Sequence, residues 1–530
     1  SSAAQVLASA AGPTVVRRAP TMVDFQLDGN SEADINAVAT KCLLGVAVVV
    51  ALGLALDVLR ARWRLEPEVA KVSNDDSGAR DMSISIWAIS LLLASYALLV
   101  PGLCSVLFSF NVMLDFGLLQ FGLGPGGGLD KAPATTESMV GLVHLLRSTD
   151  CSLGATAVVL YAMVVPGLKV FLLLLGELLR KRHAVASSLC IHLVQSISKW
   201  ACPDMFAYIL LTYLVRGLNH PRMLQADMRL DLGFTCFSIF CVGSTVASLG
   251  IRSGDEASGF GLCRRLPKCL LADRILLLTV VLSVAFAAAF WVGVTIPVMS
   301  LRLQLHDLFA PKGPLPTEIM GIPIEPVLVN LEVPEKANAD VSLLVALGTL
   351  VSWIQQGEIN SFIALIMLAG FVVSLTLLDM VVLVAAAVRH SCGRSTGALV
   401  ALATTLRKLA MLDVLIMGIV VVTLCMSMYQ KDGIFVSMRS GVAALVCAEL
   451  LHYVTYYAVL GACQPQPQQS PRAIEDGEGN VDGRLCLGHG LGGRVPSASA
   501  PMSQLEELDC HSQDFDSHSQ HSSTPMLSSL

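Results

Sequence analysis

The chain has 530 residues, of which 54% are hydrophobic and only 14% are charged, and its formal net charge is −6. About a quarter of the residues of a soluble domain are charged, so this composition excludes an ordinary soluble domain. We predict a multi-pass membrane protein, and the slightly acidic balance gives no reason to expect a nucleic-acid partner.

Helices need about twenty apolar residues to cross the hydrocarbon, where they satisfy their own backbone hydrogen bonds. A marginal run at 42–58 carries Asp57 near its end, and it is either a span or a targeting or interfacial segment. Eight stronger runs follow in chain order, at 84–110, 151–179, 201–218, 232–251, 273–299, 359–388, 409–428 and 433–461.

Two segments share the pattern Lys-x-Ala-x-x-Asp, one from Lys199 to Asp204 and the other from Lys408 to Asp413. Each opens an apolar run and follows another run that ends in basic residues, and four strong runs fall in each half. The sequence therefore predicts an all-α membrane protein with two parallel-repeat modules of four transmembrane helices each.

Lysine and arginine concentrate in the connections 180–199, 252–272 and 389–408, whereas 111–150 and 300–358 contain few of them. Cytosolic loops of membrane proteins carry an excess of these residues. We therefore expect the three basic loops to be cytosolic and the other two to face away from the cytosol. The sequence does not indicate which membrane holds the protein.

Small extracytosolic β elements are predicted in both modules, because apolar residues alternate with period two after Pro101 and after Pro297. The alternating residues are Val112, Leu114 and Phe116 in the first module and Leu301, Leu303 and Leu305 in the second. A similar pattern at 327–333 predicts a further strand.

The predicted organisation begins with an N-terminal region at 1–83 and a first membrane module at 84–251. A cytosolic linker at 252–272 leads to a second membrane module at 273–461. The tail at 462–530 is rich in Gln, Pro, Ser, Gly and His, and we expect it to be disordered and cytosolic.

None of the 15 cysteines belongs to a C-x-x-C pair. The chain also lacks the phosphate-binding loop of ATPases, the H-E-x-x-H of zinc proteases and the G-x-S-x-G of serine hydrolases. We therefore expect no metal, no cofactor and no enzymatic activity.

Ionisable residues inside apolar runs are costly, and they usually face a bundle interior or a wet cavity. Lys169 lies eleven residues before Arg180, which places it about 16 Å deep at 1.5 Å per residue. It either attracts an anionic group or bonds to carbonyls freed by Pro166. Asp379 lies at a similar depth before Arg389 and is expected to share a cavity with Lys169 or to form a structural ion pair.

Asp204 and Asp413 begin apolar runs, so they either complement a helix dipole or face the bundle. Lys199 lies on another face of the helix from Asp204 and is expected to anchor at the cytosolic headgroups. Glu449 and His452, spaced i, i+3, could ligate a metal, but further carboxylates at matching spacing are missing from the sequence.

The segment from Tyr161 to Lys169 reads Y-A-M-V-V-P-G-L-K, and the segment from Lys199 to Met205 reads K-W-A-C-P-D-M. They resemble the P-x-x-K and K-W-S-M-x-D/E-V signatures of the paraquat-inducible protein A family, which includes lipophilic envelope-spanning tunnel protein A. The resemblance covers roughly 84–460 and is stronger in the first module.

The resemblance implies a two-module membrane protein that works with a mammalian-cell-entry (MCE) domain tunnel protein to move phospholipid or other amphiphiles between membranes. The family's intramembrane polar positions correspond to Pro166, Lys169, Lys199, Trp200 and Asp204, with Lys408 and Asp413 in the repeat. The cysteine-rich zinc ribbons of bacterial members are absent, so zinc dependence is not expected. No Pro-x-x-Lys stands at 372–376, so the second module is expected to be structural.

We therefore expect a lipid-handling transporter or loading component, with Lys169 meeting an anionic headgroup. One alternative is a non-transporting, tetraspanin-like auxiliary subunit that binds a partner through its outward loops. The other is a proton-coupled carrier of small solutes in which Asp379 and Glu449 titrate.

Overall fold

The computed structural model describes residues 32–64, 85–115, 120–122, 135–180, 182–218, 224–251, 274–304, 318–319, 322–323, 338–432 and 434–463. The predicted linker at 252–272, the strand pattern at 327–333 and the tail beyond Cys463 lie outside these residues.

Helices dominate the described part of the chain. In the first half they are α1 (Glu32–Arg64), α2 (Ile86–Cys104), α3 (Met139–Ser148), α4 (Ser152–Leu179), α5 (Ala184–Ile197), α6 (Pro203–Gly217) and α7 (Leu232–Leu249). In the second half they are α8 (Ile275–Thr295), α9 (Leu343–Gln355), α10 (Ile359–Ser391), α11 (Gly397–Leu409), α12 (Leu412–Met426) and α13 (Ser440–Cys463).

Within the described residues, eight helices are long and apolar enough to cross a membrane, so the chain is a multi-pass integral membrane protein. The marginal run at 42–58 lies inside one of them. The predicted span at 201–218 is not among them, because its helix, Pro203–Gly217, has only 15 residues. These helices are Asp34–Trp63, Ile86–Cys104, Ser152–Leu179, Leu232–Leu249, Ile275–Thr295, Ile359–Ser391, Gly397–Gln430 and Ser440–Cys463.

The strands of the first half are β1 (Val106–Asp115), β2 (Gln120–Gly122), β3 (Thr135–Ser138) and β4 (Leu224–Leu230), and those of the second half are β5 (Met299–Leu303), β6 (Glu318–Ile319), β7 (Ile322–Pro323), β8 (Ala339–Val341) and β9 (Ile434–Met438). Strand β1 pairs with β2, β3 and β4, and β5 pairs with β8 and β9, all antiparallel. The strands predicted after Pro101 and Pro297 are therefore present.

Three predicted helical runs were too long. The runs 84–110 and 273–299 end as helices at Cys104 and Thr295, and the run 433–461 begins as strand β9 before α13 starts at Ser440. A short apolar strand that directly adjoins a helix cannot be distinguished from that helix by hydrophobicity alone. Strand β4 was not predicted from the sequence.

The order of elements in 86–249 recurs in 275–463, and matching contacts recur with it. Phe108 pairs with Leu230 across β1 and β4, and Met299 pairs with Met438 across β5 and β9. Helix α2 packs closely on α7, as α8 does on α13. A Cβ on Gly102 would lie 2.9 Å from the backbone nitrogen of Phe237, and one on Gly293 would lie 3.0 Å from that of Leu445.

Two predicted loops are helical hairpins. The predicted loop 180–199 contains α5, which folds back along α4, where Ser187 Oγ donates a hydrogen bond of 2.7 Å to the Gly176 carbonyl oxygen. The predicted loop 389–408 likewise contains most of α11, which packs on α10. These hairpins carry Ser198 and Arg407 back to the depth of the middle of α4 and α10.

Helices α5 and α6 follow one another with only the 3₁₀ turn Ser198–Ala201 and Cys202 between them, and α11 and α12 are separated by Ala410 and Met411. The Lys-x-Ala-x-x-Asp patterns therefore fall on two helix interruptions. Buried apolar side chains of both halves form one cluster around them, including Phe206, Phe237, Leu415 and Ile419.

Asp57 caps the helix that follows it in the structure. Its carboxylate oxygens accept hydrogen bonds of 2.9 Å each from the backbone nitrogens of Ile86 and Trp87, which open α2. Because these donors have no partner within the helix, we expect Asp57→Ala to lower the free energy of unfolding by about 0.5–2 kcal/mol. Asp57→Asn keeps an acceptor oxygen and should lose less in the same unfolding experiment in detergent. Equal stability of all three proteins would contradict the capping role.

Candidate functional site

Helices α6 and α12, which follow the two helix interruptions, cross near the start of α6. A Cβ on Gly418 of α12 would lie 2.7 Å from the carbonyl oxygen of Pro203 and 3.0 Å from Cβ of Phe206, so only glycine permits this approach. Most side chains of α6 are buried. The crossing brings the two Lys-x-Ala-x-x-Asp patterns together at the centre of the helical part.

Lys169 is buried, with 1% of its surface exposed. Its ammonium group donates hydrogen bonds to Ser198 Oγ and, at 3.0 Å, to Ser244 Oγ on α7. Ser198 also accepts a 3.3 Å hydrogen bond from Ser248 Oγ. In the described part of the chain no carboxylate forms an ion pair with Lys169, and the hydrogen-bond partners of its amine are two hydroxyl groups.

Asp379 belongs to a second buried cluster, in which its carboxylate lies 2.9 Å from Nε2 of His452. The guanidinium group of Arg407 donates to Nδ1 of His452 at 2.5 Å and to the Glu449 carboxylate at 2.7 Å. Because an arginine can only donate, Nδ1 accepts and Nε2 carries the proton that is directed at Asp379. Arg407 also lies 3.6 Å from the ring centroid of Tyr453.

The predicted contact between Lys169 and Asp379 is not formed. Each side chain bonds to residues of its own half, Lys169 to Ser198 and Ser244 and Asp379 to His452. The prediction relied on depth along a helix, which does not specify the direction in which a side chain points.

Lys199 was predicted to anchor at the headgroups, and this prediction was wrong. Its side chain is buried, and its ammonium lies 2.6 Å from the Asp413 carboxylate of the other half. The hairpin of α4 and α5 carries Lys199 away from the basic end of the bundle. Asp413 also accepts a 3.3 Å hydrogen bond from the Tyr453 hydroxyl, so it links Lys199 to the residues around Arg407.

Lys408 and Asp204, the other lysine and aspartate of the two patterns, do not form a matching pair. Lys408 donates a 2.6 Å hydrogen bond to Oε1 of Gln195, whose amide nitrogen is held by the carbonyl oxygens of Ser248 and Ile251. Asp204 is fully buried, and neither of its carboxylate oxygens has a hydrogen-bond partner among the described residues. Its carboxylate therefore does not cap the helix dipole of α6 by hydrogen bonding.

Pro166 and Trp200 both contact aromatic side chains. The carbonyl oxygen of Pro166 accepts a 3.2 Å hydrogen bond from the Tyr96 hydroxyl, and Trp200 stacks on Tyr161 with ring centroids 6.4 Å apart. A π-helical segment, Leu160–Val164, comes just before Pro166, and Ile366–Ser374 is π-helical in α10. Such segments inside α-helices are frequent at functional sites.

A cavity of about 540 Å³ lies at the strand-bearing end, between α6, β4 and α9. Arg216 is its most buried charged residue. Its guanidinium lies 2.9 Å from the Glu358 carboxylate and 4.3 Å from the ring centroid of Trp353. No motif or spacing in the sequence predicts a role for these residues.

Sequence reasoning missed Arg407, His452, Gln195, Ser198 and Ser244 as site residues. Arg407 had been counted as a loop charge, and His452 only as an alternative metal ligand. One signal was available for the hydroxyl groups, since Ser244, Thr245 and Ser248 share one face of an otherwise apolar helix.

No protein-family model, curated protein or solved structure matches this chain.

Proposed function

We propose that this protein is the membrane component of a lipid transport system that binds a phospholipid or other amphiphile at Lys169 and passes it between membranes. The observation that carries the proposal is a buried lysine amine that, among the described residues, bonds to hydroxyl groups and to no carboxylate. A buried charge is normally paired with an opposite charge. The phosphate of a lipid headgroup would supply the missing anion, and the surrounding apolar helices suit acyl chains.

The proposal includes two parallel modules of four spans each, 84–251 and 273–461, in which the interrupted pair Ala184–Ile197 and Pro203–Gly217 counts as the third span of the first module. It is supported by the repeated element order and by the matched strand registers and glycine contacts. In each module the third span is interrupted, by 198–202 or by 410–411. The lysine and arginine residues at 180–182, in 252–272 and at 389 and 394 support a cytosolic side there, with the β-sheets proposed to lie on the opposite side.

Two positions around Lys169 recur around Asp379 with different chemistry. Ser198 and Arg407 each precede the lysine of the repeated pattern. Ser244 lies eleven residues after Gly233, and His452 lies eleven residues after Gly441. A Cβ on Gly233 would lie 2.7 Å from the carbonyl oxygen of Val106, and one on Gly441 would lie 2.7 Å from that of Ile296. Thus the first module holds a cation without an anion, whereas the second holds an ion cluster with its own partners. This difference supports ligand binding by the first module and a structural role for the second.

Access to Lys169 requires movement of helices, because the amine is sealed from solvent in this conformation. The interrupted helices and the π-helical segment before Pro166 lie where such a movement could occur. Transporters with repeated modules commonly bind substrate near the bilayer midplane, beside discontinuous helices, and rock one repeat against the other.

The resemblance to the paraquat-inducible protein A family supports the same class of function and suggests an MCE-domain protein as partner. It also supports a role for Pro166, Trp200 and Asp204 near the ligand, with Lys199, Lys408 and Asp413 at the interface between modules. Because the zinc ribbons are missing, the proposal involves no metal.

Native mass spectrometry of the full chain, purified in mild detergent, tests this proposal. We expect a stoichiometric phospholipid to remain bound, and an anionic phospholipid to exchange into the site from liposomes more readily than a neutral one. A lipid-free preparation that still transfers labelled phospholipid between liposomes at the full rate would contradict binding at Lys169.

One observation favours the proton-coupled carrier as a second candidate. Among the described residues, Asp204 is buried and neither of its carboxylate oxygens has a hydrogen-bond partner, as expected for a site that binds a small cation or a proton. Uptake of small polar solutes by proteoliposomes under a pH gradient, in the absence of labelled lipid, would distinguish this carrier from a lipid transporter.

A further inference from the structure

We propose that the cavity between α6, β4 and α9 binds the zwitterionic headgroup of a phospholipid from the adjoining leaflet, a ligand that carries a phosphate, an ammonium group and no net charge. The cavity has a volume of about 540 Å³, within the range of ordinary ligand sites, and Lys169 is not among its lining residues. A part for this site in lipid transport rests on the proposed function, but headgroup binding itself does not.

Helix α9, which forms one wall of the cavity, lies at the edge of the bilayer. At 13 residues it is too short to span a membrane, and it packs beside the two spanning helices α8 and α10. Three of its apolar side chains, Leu344, Val345 and Val351, are 42–52% exposed, and they point away from the buried Leu350. Because α9 adjoins two membrane-spanning helices, acyl chains cover this apolar face.

The exposed face of α9 becomes polar towards its C-terminal end. Ser352, Gln355 and Gln356 are exposed there, and the spanning helix α10 begins three residues after Gln356. Trp353 lies at the same end, and tryptophan is enriched where the hydrocarbon meets the headgroups. The part of α9 that lines the cavity, Thr349, Trp353 and the adjoining Gln356, is this end of the helix. The cavity is therefore at the level of the lipid headgroups.

The walls of the cavity carry two guanidinium groups and two carboxylates, so their formal charges cancel. Arg216 and Glu358 form an inner pair at 2.9 Å, which is fixed because Nε of Arg216 also donates a 2.6 Å hydrogen bond to the Met228 carbonyl oxygen. Arg229 and Asp227 form an outer pair at 2.9 Å, and their side chains are 53% and 51% exposed. Exposed ion pairs contribute little to stability, so the outer pair can exchange its contacts for those of a ligand at small cost.

A zwitterionic headgroup matches this arrangement of charges. Its phosphate accepts hydrogen bonds from Arg229, and its ammonium group lies against the Asp227 carboxylate and the ring of Tyr213, which lines the same cavity. An anionic headgroup would take the arginine and bring no cation for Asp227, and a purely cationic ligand would do the reverse. The cavity therefore favours a net-neutral phospholipid over a charged one.

Titration calorimetry of the purified full chain in a maltoside detergent tests this proposal, with dihexanoylphosphatidylcholine as the probe. We expect Asp227→Asn to weaken binding on the order of tenfold, because it removes the charge that meets the ammonium group. Asp340→Asn is the matched control, since Asp340 is also a half-exposed strand carboxylate beside an arginine, Arg439, but does not line the cavity. Equal affinity of the wild type and Asp227→Asn would overturn the proposal.

Two further titrations test the class of ligand. Glycerophosphocholine has the same headgroup without acyl chains, and it should bind about tenfold more weakly because it buries no apolar surface beside α9. Equal binding of both probes would mean a site for a free solute and would overturn the lipid assignment. Asp227→Lys makes the cavity net positive and should reverse the preference, so that dihexanoylphosphatidylglycerol binds more tightly than dihexanoylphosphatidylcholine. An unchanged preference would also contradict the proposal.

Failure of this site is distinguishable from failure of the proposed function. Binding at Lys169 is measured by native mass spectrometry with an anionic phospholipid. Binding at the cavity is measured by the difference between the wild type and Asp227→Asn with a net-neutral phospholipid, and either result can be positive without the other.

Discussion

Lys169→Met is expected to yield a stable protein that binds anionic phospholipid on the order of 10–100 times more weakly than the wild type, since a hydrogen bond to a charged group contributes about 1.5–3 kcal/mol. Methionine has a similar length and flexibility and fills the same space. Removing the amine leaves Ser198 within 3.3–3.4 Å of other hydroxyl groups, those of Ser248 and Thr245. Stability should therefore change little although the ligand's counter-charge is lost.

Titration of the purified variants with an anionic phospholipid, followed by native mass spectrometry, measures this effect. Lys41→Met is a matched control, because Lys41 is an exposed lysine on α1, away from the pocket. Lys169→Arg tests whether positive charge alone is sufficient. Wild-type affinity in Lys169→Met would show that the amine is a structural group and that the lipid binds elsewhere.

Much of the helical architecture could be predicted because its signals are local. Runs of apolar residues identified the membrane class, and spacing from Arg180 placed Lys169 deep in a helix. The strand signal after Pro297 was also local, since Leu301, Leu303 and Leu305 alternate with polar residues in the sequence. The boundary before α13 failed because the residues of β9 are as apolar as those of the helix that follows.

The contacts of the site could not be predicted, because they depend on how separate helices pack. Lys199 reaches Asp413 only because α6 and α12 cross at Gly418, and nothing near either residue specifies that crossing. Arg407 stands in a basic cluster that is typical of a cytosolic loop. Only the return of α11 along α10 shows that it is buried against Glu449 and His452.

The buried cationic side chains of the two halves, Lys169 and Arg407, are predicted to respond differently to substitution by an apolar residue. Arg407→Leu should lower the free energy of unfolding by about 3–5 kcal/mol, because it leaves the buried carboxylates of Glu449 and Asp379 without their main source of positive charge. His452 would also lose the donor to its Nδ1 atom. This loss should appear as a much lower midpoint of thermal unfolding in detergent.

Two further variants separate this explanation from a general effect of losing an arginine. Arg389→Leu removes an exposed arginine from α10 and should change the unfolding midpoint little. The double variant Arg407→Leu with Glu449→Leu removes both partners of the 2.7 Å ion pair and should be more stable than Arg407→Leu alone, because no unpaired Glu449 charge remains. Additive losses in the double variant would mean that Arg407 acts through packing on Tyr453 and not through its charge. We expect Arg407→Leu to lower the free energy of unfolding much more than Lys169→Met does. This difference would distinguish an ion cluster that stabilises the helix bundle from a lysine side chain that is available to a ligand.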